Sequence, residues 1–142
     1  MGKTADRVGG ATIDTPGWAD LEEVNARQKQ ALRNYIDAVN RKDVEAIVSL
    51  FAENGVVEDP YGNRRHNICG SDEIRQFYEF VVAKARMELL LVTGSGGNAA
   101  AMAIRGYIGA DIVNNISIAH FDEAGKIAKY TTYWGPGDRS TG

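Results

Sequence analysis

Cysteine occurs once in this chain, as Cys69, so no intramolecular disulfide can form, and a lone thiol fits a reducing compartment. Long hydrophobic runs are missing too. No stretch approaches the roughly 20 apolar residues a membrane helix needs, and Met1–Gly10 has no apolar centre of the kind a signal peptide requires. The chain starts Met-Gly, yet Asp6 stands where a myristoylation signal carries Ser or Thr. A cytoplasmic protein with no membrane partner is the expectation. Neither sign of charge dominates: 16 Lys and Arg face 19 Asp and Glu, for a net charge of −3 and a pI of about 5.4. That balance speaks against nucleic acid as a partner. His66, His120 and Cys69 lack zinc-ligand spacing, so no metal is expected. Neither a Ser-His-acid nor a Cys-His arrangement is discernible, and there is no internal repeat or low-complexity tract.

What remains is an ordinary composition, 44% hydrophobic and 25% charged, in 142 residues, enough for one domain with a real core. Met1 to Gly17 mixes Gly, Thr, Asp and Pro without apolar periodicity, and residues 1–20 are expected to be a flexible arm ahead of a folded domain over 21–142. After Pro16-Gly17 a helix is predicted to about Asn40, with Leu32, Tyr35, Ile36 and Val39 on one face. Asp43 is placed to cap a short second helix whose buried stripe is Val44, Ile47, Val48 and Phe51. Ser71 is placed to cap a third, with Ile74, Phe77, Tyr78, Val81 and Val82 inward. From Glu88 the period changes. Leu89–Val92, Ala99–Tyr107, Asp111–Phe121 and Ile127–Trp134 read as strands joined by hairpins, and Gly94–Asn98 is a turn rather than a phosphate loop because no helix follows it. Helices first and a meander last is an α+β arrangement.

One stretch invites chemistry: Gly55-Val-Val-Glu-Asp-Pro-Tyr-Gly62. Val56 and Val57 start a strand, and Pro60 forces Asp59 out of the helical region. A carboxylate is thereby fixed in extended backbone at a strand end. Side chains alternate across a strand, so Glu58 and Asp59 face opposite ways. By itself an Asp-Pro pair signals only a turn.

The flanking residues add to this. Tyr35, Asn40-x-x-Asp43, Leu50-Phe-Ala52, Val57-Glu-Asp-Pro-x-Gly62 and Gly70-x-x-x-Ile-Arg-x-Phe-Tyr78 follow in an order that closely resembles the bacterial ketosteroid isomerases of the nuclear transport factor 2-like superfamily. The resemblance covers Gln28 to Tyr78 well and Ile112 to Gly135 more loosely, and it omits the first twenty-odd residues. It implies a single α+β domain, a curved antiparallel sheet wrapped as a cone around the N-terminal helices, with a pocket inside. By the same analogy the protein would be a homodimer acting on a small apolar ketone or polyketide-like substrate.

The resemblance also assigns roles. Asp59 would be the general base and Tyr35 the oxyanion donor, their separation matching the family's without a gap. Tyr78 would support the oxyanion site, and Trp134 and Phe80 would wall the pocket. Where better-known isomerases carry an aspartic acid kept neutral by apolar surroundings, this chain has Ser117, a weaker donor, with Asn115 two residues earlier as another candidate. The implied reaction moves a carbon–carbon double bond in a steroid-like ketone and needs no cofactor. Two rivals stand beside it. One is another enzyme on this fold: a polyketide cyclase, a dehydratase using histidine, or an epoxide hydrolase for which Arg105 and Asp111 are imaginable. The other is a binding module without chemistry.

Overall fold

The structure is a computed structural model and describes residues 5–8, 11–14 and 18–141. Within the predicted arm, strands β1 (Ala5–Val8) and β2 (Ala11–Asp14) pair antiparallel with each other, in a sheet separate from the main one. Residues 1–4, 9–10 and 15–17 of that arm lie outside the described residues. Helix α1 (Trp18–Arg41) follows and carries the predicted stripe, with Leu32, Tyr35, Ile36 and Val39 all at most 5% exposed.

Lys42 ends α1 in the left-handed conformation, φ 61°. Its N–H donates to Val39 and the next N–H, of Asp43, donates to Ala38, which satisfies two carbonyls at the helix end. Asp43 then caps α2 (Val44–Ser49) by accepting from the Ala46 N–H at 3.0 Å. Two expectations give way here. Phe51 is buried, but it belongs to strand β3 (Phe51–Glu58) and not to α2, which stops two residues earlier. Ser71 does not cap the third helix either. Helix α3 (Gly70–Lys84) starts one residue ahead of it, and the Glu73 carboxylate reaches back to accept from the Cys69 N–H at 2.9 Å. A carboxylate in the first turn is well placed, because the exposed N–H groups there carry partial positive charge.

The main sheet runs β4 (Ile68–Cys69), β3, β8 (Ile127–Tyr133), β7 (Asp111–Phe121), β6 (Ala99–Ile108), β5 (Ala85–Thr93), with β9 (Arg139–Thr141) on β7. It is mixed rather than wholly antiparallel, since β3 and β8 pair parallel. The strands joined by hairpins must alternate in direction, but β3 and β8 are linked through α3 and the whole meander, which leaves their relative direction free. Register shifts interrupt β3 between Phe51 and Val56, β5 between Leu89 and Leu91, and the β7–β8 pair at His120/Phe121. Extra residues on one strand of a pair bend it. The three helices pack into the resulting hollow, burying Ile47, Ile74, Met102, Ile104, Ala119, Phe121 and Ile127 in one core.

Gly55 sits at the β3 irregularity, and a Cβ there would meet the Ala52 carbonyl oxygen at 3.0 Å and that of Ile127 at 3.2 Å. Backbone atoms cannot rotate away. Gly55→Ala should therefore destabilise by about 1–3 kcal/mol, the usual cost of overpacking, which a lowered thermal midpoint would register. An unchanged midpoint would mean that the β3 bulge yields freely.

Candidate active site

Between α1, α3 and the concave face of the sheet lies a cavity of about 210 Å³. α3 lends it Phe77, Phe80, Val81 and Lys84, which recur at helical spacing on the face beside the buried Ile74–Tyr78–Val82 stripe. Ile104 on β6 and Val113 on β7 complete much of an apolar wall. Besides Lys84, polar groups enter at few points: Tyr35 from α1, Asn115 and Ser117 from β7, Tyr130 and Thr132 from β8, Asp59 just after β3, Trp134 just after β8 and Arg139 from β9. Apolar walls with a few placed polar groups are typical of small-molecule sites.

Asp59 faces this cavity, and Glu58 does not line it. Glu58 instead accepts from the Gly62 N–H at 3.0 Å and stands 3.7 Å from the Lys129 ammonium. The Asp59 carboxylate is held asymmetrically. The Thr132 hydroxyl donates to Oδ1 at 2.6 Å and the Trp134 indole N–H donates to the same oxygen at 2.8 Å. Among the described residues none donates to Oδ2, which keeps its lone pairs for a proton. Trp134 reaches this position because the chain leaves the sheet at Tyr133, opposite Ile116, and rejoins it as β9 at Arg139, opposite Val113. Sequence reasoning places Trp134 on the wall. The indole donation is an additional role.

Tyr35 and Tyr78 share a hydrogen bond at 2.9 Å, their rings edge to face. Tyr78 does not line the cavity and lies behind Tyr35, so any support it gives the site passes through the Tyr35 hydroxyl rather than by substrate contact. Ser117 donates to Asn115 Oδ1 at 2.9 Å. Phe80 is 61% exposed at the cavity's edge, with the Lys84 ammonium 4.4 Å from its ring centroid. Arg105 and Asp111, the residues imagined for epoxide opening, pair with Asn114 and Arg139 and line no part of the cavity. Both histidines are exposed away from it, and no cluster of metal ligands occurs among the described residues.

Two residues escape the sequence reading: Tyr130 and Thr132. Their signal is available, because Tyr130, Thr132 and Trp134 alternate along the last predicted strand and so share Trp134's face. Tyr130 lies against Tyr35, with ring centroids 4.9 Å apart and the planes tilted by 35°.

Burial raises the phenol pKa of Tyr35, Tyr78 and Tyr130 well above the ordinary value, chiefly because a phenolate there would be desolvated. Near neutral pH all three are therefore neutral hydroxyls able to donate. The same shift ties stability to alkaline pH. The unfolded chain releases these protons near pH ~10 while the folded chain holds them, so stability is intact below about pH 10 and falls as pH climbs toward the folded values. Tyrosinate absorbance from these residues should appear together with loss of the far-ultraviolet dichroism. Ionisation of all six tyrosines while the fold persists would contradict this.

Three helices packed into a curved, unclosed, mixed sheet around an internal cavity define the nuclear transport factor 2-like fold. Comparison with known proteins agrees. The SnoaL-like domain matches residues 32–130, and the chain belongs to that family. It is 33% identical over 120 residues to a steroid Delta-isomerase of Nocardioides simplex, a match covering 81% of this chain and 95% of that one. Among solved structures it superposes with a TM-score of 0.76 on SalBIII, described as an epoxide hydrolase/cyclase-like enzyme in pyran ring formation in polyether salinomycin. That match covers 82% of this chain and 97% of SalBIII at 24% sequence identity, which bears on fold alone. No helix of the described residues is long and apolar enough to cross a membrane.

Proposed function

We propose that this protein is a proton-shuttling isomerase that moves a carbon–carbon double bond in a small apolar, steroid-like ketone. The observation that carries the reading is that Asp59 and Tyr35 line one apolar cavity, with the carboxylate anchored through Oδ1 only. Asp59 Oδ2 takes a proton from the carbon beside the carbonyl, and the electron pair left behind delocalises onto the carbonyl oxygen as a dienolate. Tyr35, backed by Tyr78, donates a hydrogen bond to that oxygen where negative charge accumulates. Asp59 then returns the proton to the far carbon, so the reaction is redox-neutral and the carboxylate is regenerated. The steroid Delta-isomerase relative supports this choice of substrate class.

The test is incubation of the purified protein with a Δ5-3-ketosteroid while following absorbance of the conjugated product. Turnover well above the buffer rate is expected. Binding without turnover would replace the isomerase with a binding module. Neither binding nor turnover would turn attention to polyketide-type substrates of other members of the fold.

A further inference from the structure

We propose that the phenol of Tyr130 is the second donor to the substrate oxyanion, and that Ser117 is a positioning residue rather than a donor. This rests on the isomerase reading above and concerns which groups hold its intermediate. Each hydroxyl in the cavity has one proton to place. Ser117 donates its proton to Asn115 Oδ1. Its oxygen is left with lone pairs only, which an anion repels. Tyr35 and Tyr78 share one proton across their 2.9 Å contact, so when Tyr78 donates, Tyr35 has its own proton for the substrate.

Tyr130 is the remaining phenol. It belongs to the cavity wall, and the hydroxyls of Tyr35 and Ser117 stand beside it. Both neutral hydroxyls are within hydrogen-bonding reach of its own. Because Tyr130 lines the cavity, a molecule bound there meets it directly. A charged oxyanion is a stronger acceptor than either neutral hydroxyl, so it draws the Tyr130 hydrogen bond to itself on arrival.

Placement along β8 fits the same chemistry. Tyr130 and Thr132 are alternate residues on one face, roughly 7 Å apart by strand geometry, and Thr132 holds Asp59. The base stands at one end of this span and the paired phenols at the other, with room between for a carbonyl and its neighbouring carbons. Both phenols sit on regular elements, α1 and β8, whose backbones are fixed by the core. Burial keeps Tyr130 protonated at neutral pH, as a donor must be. No proton leaves either phenol, and the interaction is hydrogen bonding alone.

The test uses binding of substituted naphthols, which as naphtholates mimic the dienolate without reacting. In the parent protein, proton nuclear magnetic resonance should show two strongly deshielded hydrogen-bond resonances on the bound naphtholate. Tyr130→Phe keeps the ring and should remove one of them and lower naphtholate affinity roughly tenfold to a hundredfold, in line with loss of one oxyanion donor. Ser117→Ala should keep both resonances. Fluorotyrosine introduced at position 130, which preserves the hydroxyl and the packing, should shift one resonance and leave the other. If the parent binds naphtholate but Tyr130→Phe retains both resonances and full affinity, or Ser117→Ala loses one, the assignment of Tyr130 is overturned and Tyr35 keeps its role. A parent that binds no naphtholate overturns the oxyanion reading itself and this assignment with it.

Discussion

Asp59→Asn should lower isomerase turnover by about 10²–10⁴-fold, the range a positioned general base contributes. An amide matches a carboxylate in shape and offers an oxygen to Thr132 and Trp134, so the two donors that now hold Oδ1 keep an acceptor. The group pointing into the cavity becomes an amide NH2, which cannot take a proton from carbon. Substrate affinity should change little, since most of the cavity wall is apolar and untouched. The measurement is kcat and KM of parent and variant, with a thermal midpoint to show that the fold is intact. Comparable turnover in Asp59→Asn would remove Asp59 as the base. The Trp134 donor gives a graded companion, because Trp134→Phe leaves the carboxylate held by Thr132 alone, and should lower kcat by less than the loss of the base.

Much of this site is legible in the chain because local rules act on it. Pro60 fixes the backbone at Asp59, strand alternation sends Glu58 the other way, and the helical stripe from Leu32 to Val39 carries Tyr35 inward. The four meander strands follow from alternation and glycine-containing turns. The features that escape depend on chain segments far apart in sequence. The parallel β3–β8 pairing joins the two ends of a long connection, and nothing in either strand's residues encodes its direction. The start of α3 depends on the same kind of partner. Cys69 pairs with Val56 across the sheet, and the turn from that strand into the helix uses the positive φ, 84°, of Gly70, so the helix begins ahead of Ser71. Tyr130 escapes for a different reason. A tyrosine in a strand is usually a core residue, and its place on the cavity wall beside Tyr35 becomes visible only once α1 and β8 are brought together.

Tyr35→Phe should lower kcat by roughly 10²–10³-fold, equivalent to about 2.7–4 kcal/mol of transition-state stabilisation, with a smaller change in KM. The ground-state ketone carries little charge on its oxygen and gains modestly from the phenol, whereas the dienolate carries a full charge and gains most. The substitution has a structural side that must be separated from this. Tyr78 now shares its hydroxyl with Tyr35, 2.9 Å away and out of water, and a phenyl ring in place of the Tyr35 phenol would leave that hydroxyl unpaired. An orphaned buried hydroxyl costs about 1–3 kcal/mol of stability, while removing both partners together is close to neutral. The double variant Tyr35→Phe/Tyr78→Phe should therefore recover most of the thermal stability lost by Tyr35→Phe alone and recover none of its activity. Tyr78→Phe by itself should reduce kcat by only about tenfold, since it weakens Tyr35's polarisation without removing the donor. If activity returned with stability in the double variant, Tyr35 would be a packing residue, and the oxyanion would have to be held from β7 and β8 alone.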